Sequence, residues 1–119
     1  MSALANFLNN LAWLYGETDL KKGLELASTA YRLAPDDSAV LDTYGWLLIR
    51  QGQVEEGYQM VSKAFELDPN QPEIEFHYAY ALAELGQKSK AAERLKSLLE
   101  RAPGLATHDD VVELRTRLY

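Results

Sequence analysis

His77 and His108 are the 2 histidines of this chain, and it contains no cysteine. Thiolate metal sites, disulfide frameworks and cysteine nucleophiles are therefore excluded. His77 follows Glu73 by four residues, which puts both on one helix face as a possible proton-transfer pair. The reading adopted is a histidine making a solvent-side contact from a surface groove. Neither histidine has a partner at i+3 or i+4 to complete a chelating pair, which argues against zinc. The adjacent carboxylates Asp36–Asp37, Glu55–Glu56 and Asp109–Asp110 lie near turns or helix starts, where acidic groups favour the helix dipole, and read as caps. No GxxxxGK[ST] phosphate loop, GxSxG nucleophile turn or calcium-loop spacing occurs; Asp68–Asn70 starts like such a loop but lacks its glycine and closing glutamate. A catalytic centre, a metal and a cofactor are thus not expected.

With 119 residues, 47% of them hydrophobic and 25% charged, the chain can build one small domain with a continuous core. The net charge of −6 is uneven: residues 1–87 hold 5 basic and 13 acidic groups, residues 88–119 hold 7 and 5. Nucleic acid is excluded as an expected partner, because phosphate binding needs clustered cations. The candidate cluster, Lys88, Lys90, Arg94, Lys96 and Arg101, shares its helix with Glu93 and Glu100 and reads as a solvated face. The longest apolar run, Tyr78–Ala83, is far short of the roughly 20 residues of a bilayer-spanning helix, so no membrane insertion is expected. No lysine or arginine occurs before Lys21, so a basic signal start is missing. Cytoplasm and periplasm both remain permitted.

A strict period organises the whole chain. Pro35, Pro69 and Pro103 stand 34 residues apart (69 − 35 and 103 − 69), the length of a unit of two antiparallel helices and two turns. Gly23, Gly57 and Ala91 recur at that spacing, as do Ala30, Ala64 and Leu98; Ala12, Gly45 and Ala79 correspond with one residue missing near Gly16. Glycine inside a helix costs about 0.5–1 kcal/mol relative to alanine, so Gly23, Gly45 and Gly57 predict close backbone crossings. The pattern predicts seven helices at about 3–15, 19–33, 38–50, 54–67, 72–85, 88–101 and 108–118. Gly16, Gly52 and Gly86 fit left-handed terminators, and Ser38 and Pro72 mark helix starts.

The two ends differ. Thr107 and Asp110 have the form of a capping box, and Val111, Leu114 and Leu118 line one face of a last helix that would cover the final unit. Residues 1–16 carry no charged side chain, and Leu4, Phe7, Leu8, Leu11 and Leu14 offer an apolar surface without an evident cap. Either upstream repeats of a longer array cover that surface, or helix 1 self-associates as a homodimer.

Leu41, Tyr44, Gly45, Leu48, Gly57, Val61, Ala64 and Pro69 in unit two resemble the tetratricopeptide repeat signature. Tyr78, Ala79, Leu82, Ala91, Leu95 and Pro103 match in unit three, and Leu8, Leu11, Ala12, Tyr15, Gly23, Ala27, Ala30 and Pro35 in unit one. The resemblance implies an all-α solenoid of three helix hairpins (4–35, 38–69 and 72–103) and a capping helix (107–119), forming one domain over 1–119. LNNLAWLY followed by LDTYGWLL is similar to the C-terminal ends of large bacterial tetratricopeptide proteins, including lipoproteins of exosortase-linked exopolysaccharide systems. That narrower similarity implies an envelope or secretion-related scaffold.

In this family the first helices of successive units line a concave groove that meets an extended peptide or a partner helix. Carried over by position, the groove comprises Asn6, Asn9 and Trp13 from unit one, Asp42, Thr43, Trp46 and Arg50 from unit two, and Glu73, Phe76, His77 and Tyr80 from unit three. Trp13, Trp46 and Tyr80 occupy equivalent places and are expected to form a ladder, serving either as groove anchors or as packing between helices. Some members clamp chaperone C-terminal carboxylates with lysine, asparagine and arginine. The corresponding Asn9, Trp13, Thr43, Glu73 and His77 lack the cations, and Glu73 would repel such a tail. The expected function is non-catalytic binding of a protein or peptide, neutral or basic with an apolar anchor. The alternative is a structural end piece that contacts upstream repeats or another copy through helix 1.

Overall fold

Helical hairpins stacked side by side build the computed structural model, which describes residues 3–119. The first pairs α1 (Ala3–Tyr15) with α2 (Leu20–Leu33), the second α3 (Ser38–Gln51) with α4 (Val54–Leu67), and the third α5 (Pro72–Glu84) with α6 (Lys88–Arg101). A 3₁₀ turn at Pro103–Thr107 leads into α7 (Asp109–Leu118). The described residues contain no strand, and the expected all-α solenoid with a seventh, capping helix is what forms. Its principal dimensions are 40 × 25 × 24 Å.

Local chemistry sets the helix limits. Asp19 and Asp37 accept the backbone N–H groups of Lys22 and Val40, each at 3.1 Å, satisfying orphan donors of the first turn. Pro72 opens α5 with a φ already suited to a helix. Gly52 (φ 99°) and Gly86 (φ 82°) close α3 and α5 in the left-handed region. Gly16 does not share that geometry, contrary to expectation. A Cβ there would sit 2.8 Å from Leu47 Cδ2 and 3.3 Å from the Trp13 carbonyl oxygen, so the turn is tightly packed at this point.

The glycines inside helices mark close crossings, as their recurrence predicts. A Cβ on Gly57 would lie 2.6 Å from the Gly45 carbonyl oxygen, and one on Gly45 would lie 2.9 Å from that of Gly57. At Gly23 the nearest atom would be the Ala12 carbonyl oxygen, at 3.1 Å. α3 and α5, each flanked by neighbouring hairpins, are buried on most sides, and Leu41, Leu47, Leu95, Leu98 and Leu114 are fully enclosed.

Two sequence expectations need correction. The capping box does not form: Thr107 is held in the 3₁₀ turn that begins at Pro103, its hydroxyl donates to the Gly104 carbonyl, and His108 occupies the N-cap of α7 without a side-chain bond. Asp109 and Asp110 still supply negative charge to the first turn. The basic face of α6 is also not simply solvated. Glu75, 1% exposed, is paired with Arg94 at 3.1 Å and with Arg101, because a buried carboxylate must find cationic donors. α7 docks through buried Val111 and Leu114, an Arg117–Glu84 ion pair of 2.9 Å, and the Tyr119 hydroxyl donating to the Ala92 carbonyl at 3.2 Å.

Candidate functional site

The first helices of the hairpins, α1, α3 and α5, lie next to one another and bound two adjoining depressions. The larger, about 910 Å³, has Trp13, Trp46, Phe76 and His77 on one side. Leu105, His108, Asp109 and Asp110, from the 3₁₀ turn and the start of α7, stand on the other. The smaller, about 400 Å³, is bounded by Asn9, Trp13, Asp42, Thr43 and Glu73. Trp13, Gln71 and Glu73 belong to both, so they form the ridge between them.

The two tryptophans have different environments. Trp46 is 4% exposed and packs edge-on against Tyr80, with ring centres 5.0 Å apart, and tilted against Phe76 at 6.1 Å. Trp13 is 41% exposed. Of the three rings expected in a ladder, Trp46 meets Tyr80, while Trp13 and Trp46 each meet His77, stacked at 4.1 Å for Trp46 and tilted at 5.9 Å for Trp13. The imidazole thus touches both indoles, because α5 delivers its ring from the next hairpin.

His77 is also not a solvent-side groove histidine. It is 3% exposed, and its Nδ1 lies 2.7 Å from Asp42 Oδ1, itself buried. Stacking on Trp46 and the hydrogen bond from α3 together draw the ring inward. Glu73 lies beside this pair; partial burial pushes its carboxyl above the usual range, opposed by attraction to His77 and reinforced by Asp42. Asn9, 7% exposed, has an Oδ1 with no hydrogen-bond partner.

The remaining positions scatter. Arg50 leans over Trp46, its guanidinium 5.8 Å from the ring centre, and pairs with Glu17 at 3.2 Å. Tyr80 is half-buried beneath Arg117, 5.4 Å from its ring centre, and burial raises its hydroxyl pKa. Asn6 is exposed and borders neither depression. Sequence reasoning missed the wall formed by Leu105, His108, Asp109 and Asp110, since a 3₁₀ turn has no apolar periodicity to announce it. It also missed the Asp42–His77 bond between successive hairpins, for which the 35-residue separation, close to one repeat, was the available signal.

Exposed indole, aromatic faces and carboxylates favour cations and apolar side chains over anions. A family model described as tetratricopeptide repeat matches residues 48–118. No curated protein matches the chain in sequence. Among solved structures, it is similar to the TPR domain of Arabidopsis OM64, with a TM-score of 0.79, 14% identity, and coverage of 97% of this chain and 93% of that one. The first TPR of Spaghetti (RPAP3), bound to the HSP90 peptide SRMEEVD, gives a TM-score of 0.80 at 14% identity, covering 98% and 92%. The Yersinia enterocolitica type III secretion translocator chaperone SycD gives 0.72 at 21%, covering 99% and 88%. These likenesses concern the fold.

Proposed function

The chain belongs to the tetratricopeptide repeat family, and on that footing we propose that it is a non-catalytic interaction module whose groove takes a peptide or helix of a partner protein. The carrying observation is Trp13, 41% exposed beside the aromatic cluster of Trp46, Phe76 and His77. Such a surface takes an apolar anchor, and Glu73, Asp109 and Asp110 around the same depression favour lysine or arginine next to it. The Spaghetti domain binds an acidic HSP90 peptide. Here the carboxylates disfavour such a tail.

Peptide-display selection against the immobilised chain tests this reading. Enriched sequences should combine an aromatic or aliphatic residue with lysine or arginine. Trp13→Ala should weaken the selected peptides by about 2 kcal/mol, the level of an interface hot spot, with little change in melting temperature. Enrichment of acidic peptides, or equal binding by a folded Trp13→Ala variant, overturns it.

A second reading is favoured by the exposed Leu4, Phe7 and Leu14 of α1: this face stacks on further repeats or on another copy of the chain. Light scattering across a concentration series then shows a dimer that Leu4→Glu or Phe7→Glu abolishes. A monomer at every concentration excludes the self-association form.

A further inference from the structure

We infer that Asp42, Glu73 and His77 form a site for one divalent first-row transition ion, with zinc the best match to its donors. One ligand atom from each residue lies within 4.8 Å of the others. Glu73 and His77 come from successive turns of α5, and Asp42 reaches them from α3. No donor stands three or four residues after His77, where Tyr80 and Ala81 lie. The structure instead supplies one four residues before His77 and one from the preceding hairpin.

An independent observation comes from α1. Asn9 Oδ1 is enclosed without a hydrogen-bond partner, in a residue that borders the same small depression as Asp42 and Glu73. A buried carbonyl oxygen without a donor is costly, so this depression holds an uncompensated acceptor that favours a cation within it. The repeat pattern does not demand this set. Positions 39 and 43, one repeat before Glu73 and His77, hold Ala39 and Thr43, and position 76, one repeat after Asp42, holds Phe76.

The donors select the ion class. Imidazole nitrogen with carboxylate oxygen suits zinc and its first-row neighbours, whereas calcium and magnesium prefer oxygen alone. Two carboxylates balance a double positive charge. Glu73 borders both depressions, the smaller together with Asp42 and the larger together with His77, which leaves room for water on the ion's free positions. To bind, His77 turns a ring nitrogen from its present Asp42 bond to the ion, which frees the Asp42 carboxylate to ligate it as well.

Calorimetric titration of Zn²⁺ into the chelator-treated full chain tests the site, with Co²⁺ absorption reporting the ligand field. One ion per chain is expected. Glu73→Gln, whose side chain reaches the surface and whose loss leaves packing intact by circular dichroism, should weaken binding by about 10-fold or more, and His77→Gln likewise. His108→Gln should bind as the parent does, which separates this site from the histidine beside Asp109 and Asp110. Absence of saturable binding, parental affinity in both Glu73→Gln and His77→Gln, or loss of binding in His108→Gln overturns the proposal. Because metal is the only probe, failure here leaves the peptide-binding reading to be judged on its own experiment.

Discussion

Glu75 shows how much one side chain asks of its surroundings. A carboxylate this deep is tolerated because Arg94 and Arg101 both reach it while their own ends stay partly in water. Either arginine alone leaves the charge partly compensated, so Arg94→Leu and Arg101→Leu should each cost about 1–2 kcal/mol, discounted for their exposure. The double variant strands the carboxylate and should lose about 3–5 kcal/mol, more than the two single losses together. Urea denaturation of the four proteins in that cycle measures the coupling. The repeat register contained the clue: 75 is 34 beyond 41, so Glu75 stands where unit two has Leu41, a fully buried leucine. His77 was harder to place, since its partner lies on another hairpin and its stacking on Trp46 depends on how α3 and α5 lean together.

At the scale of the element, the contact between α3 and α4 depends on two absent side chains. Alanine at Gly57 would improve helix propensity by about 0.5–1 kcal/mol but put a methyl group 2.6 Å from the Gly45 carbonyl and from Ile49 Cγ1. Backbone has to shift, so Gly57→Ala should destabilise by a net of about 1–3 kcal/mol. Gly104→Ala, with nothing near its Cβ and no left-handed φ, should stay within about 0.5 kcal/mol of the parent. Thermal melts of both variants compare them directly. The six hairpin helices were legible because apolar spacing, small crossing residues and prolines all repeat, whereas α7 was indicated by its own apolar face alone. The 3₁₀ turn at Pro103–Thr107 was not, because one occurrence of an irregular segment leaves no period, and Thr107 imitated a cap while lying a residue too early for it.

For the whole molecule, a single stack joins hairpins through shared aromatic surfaces, and those surfaces contain tyrosines whose ionisation is resisted. Burial raises the pKa values of Tyr78 and Tyr80 above the ordinary tyrosine value. Tyr78 stacks on Phe65 at 4.9 Å and on Tyr58 at 5.9 Å, while Tyr80 meets Trp46. In alkali the unfolded chain gives up these protons first, so it binds fewer protons than the folded chain and stability falls. The contribution is complete below the unfolded tyrosine pKa and is lost as pH rises through the folded values. Denaturation midpoints should drop above about pH 10, and a Tyr78→Phe/Tyr80→Phe variant should lose less over that interval. No helix among the described residues is long and apolar enough to cross a membrane. Leu105, His108, Asp109 and Asp110 border the same depression as Trp13 and Phe76, so the start of α7 bounds that hollow at the C-terminal end of the stack. Under the proposed binding role, a filamentous guest lying along α1 and α5 would meet α7, so the same helix that seals the hydrophobic stack would also limit how far such a strand travels.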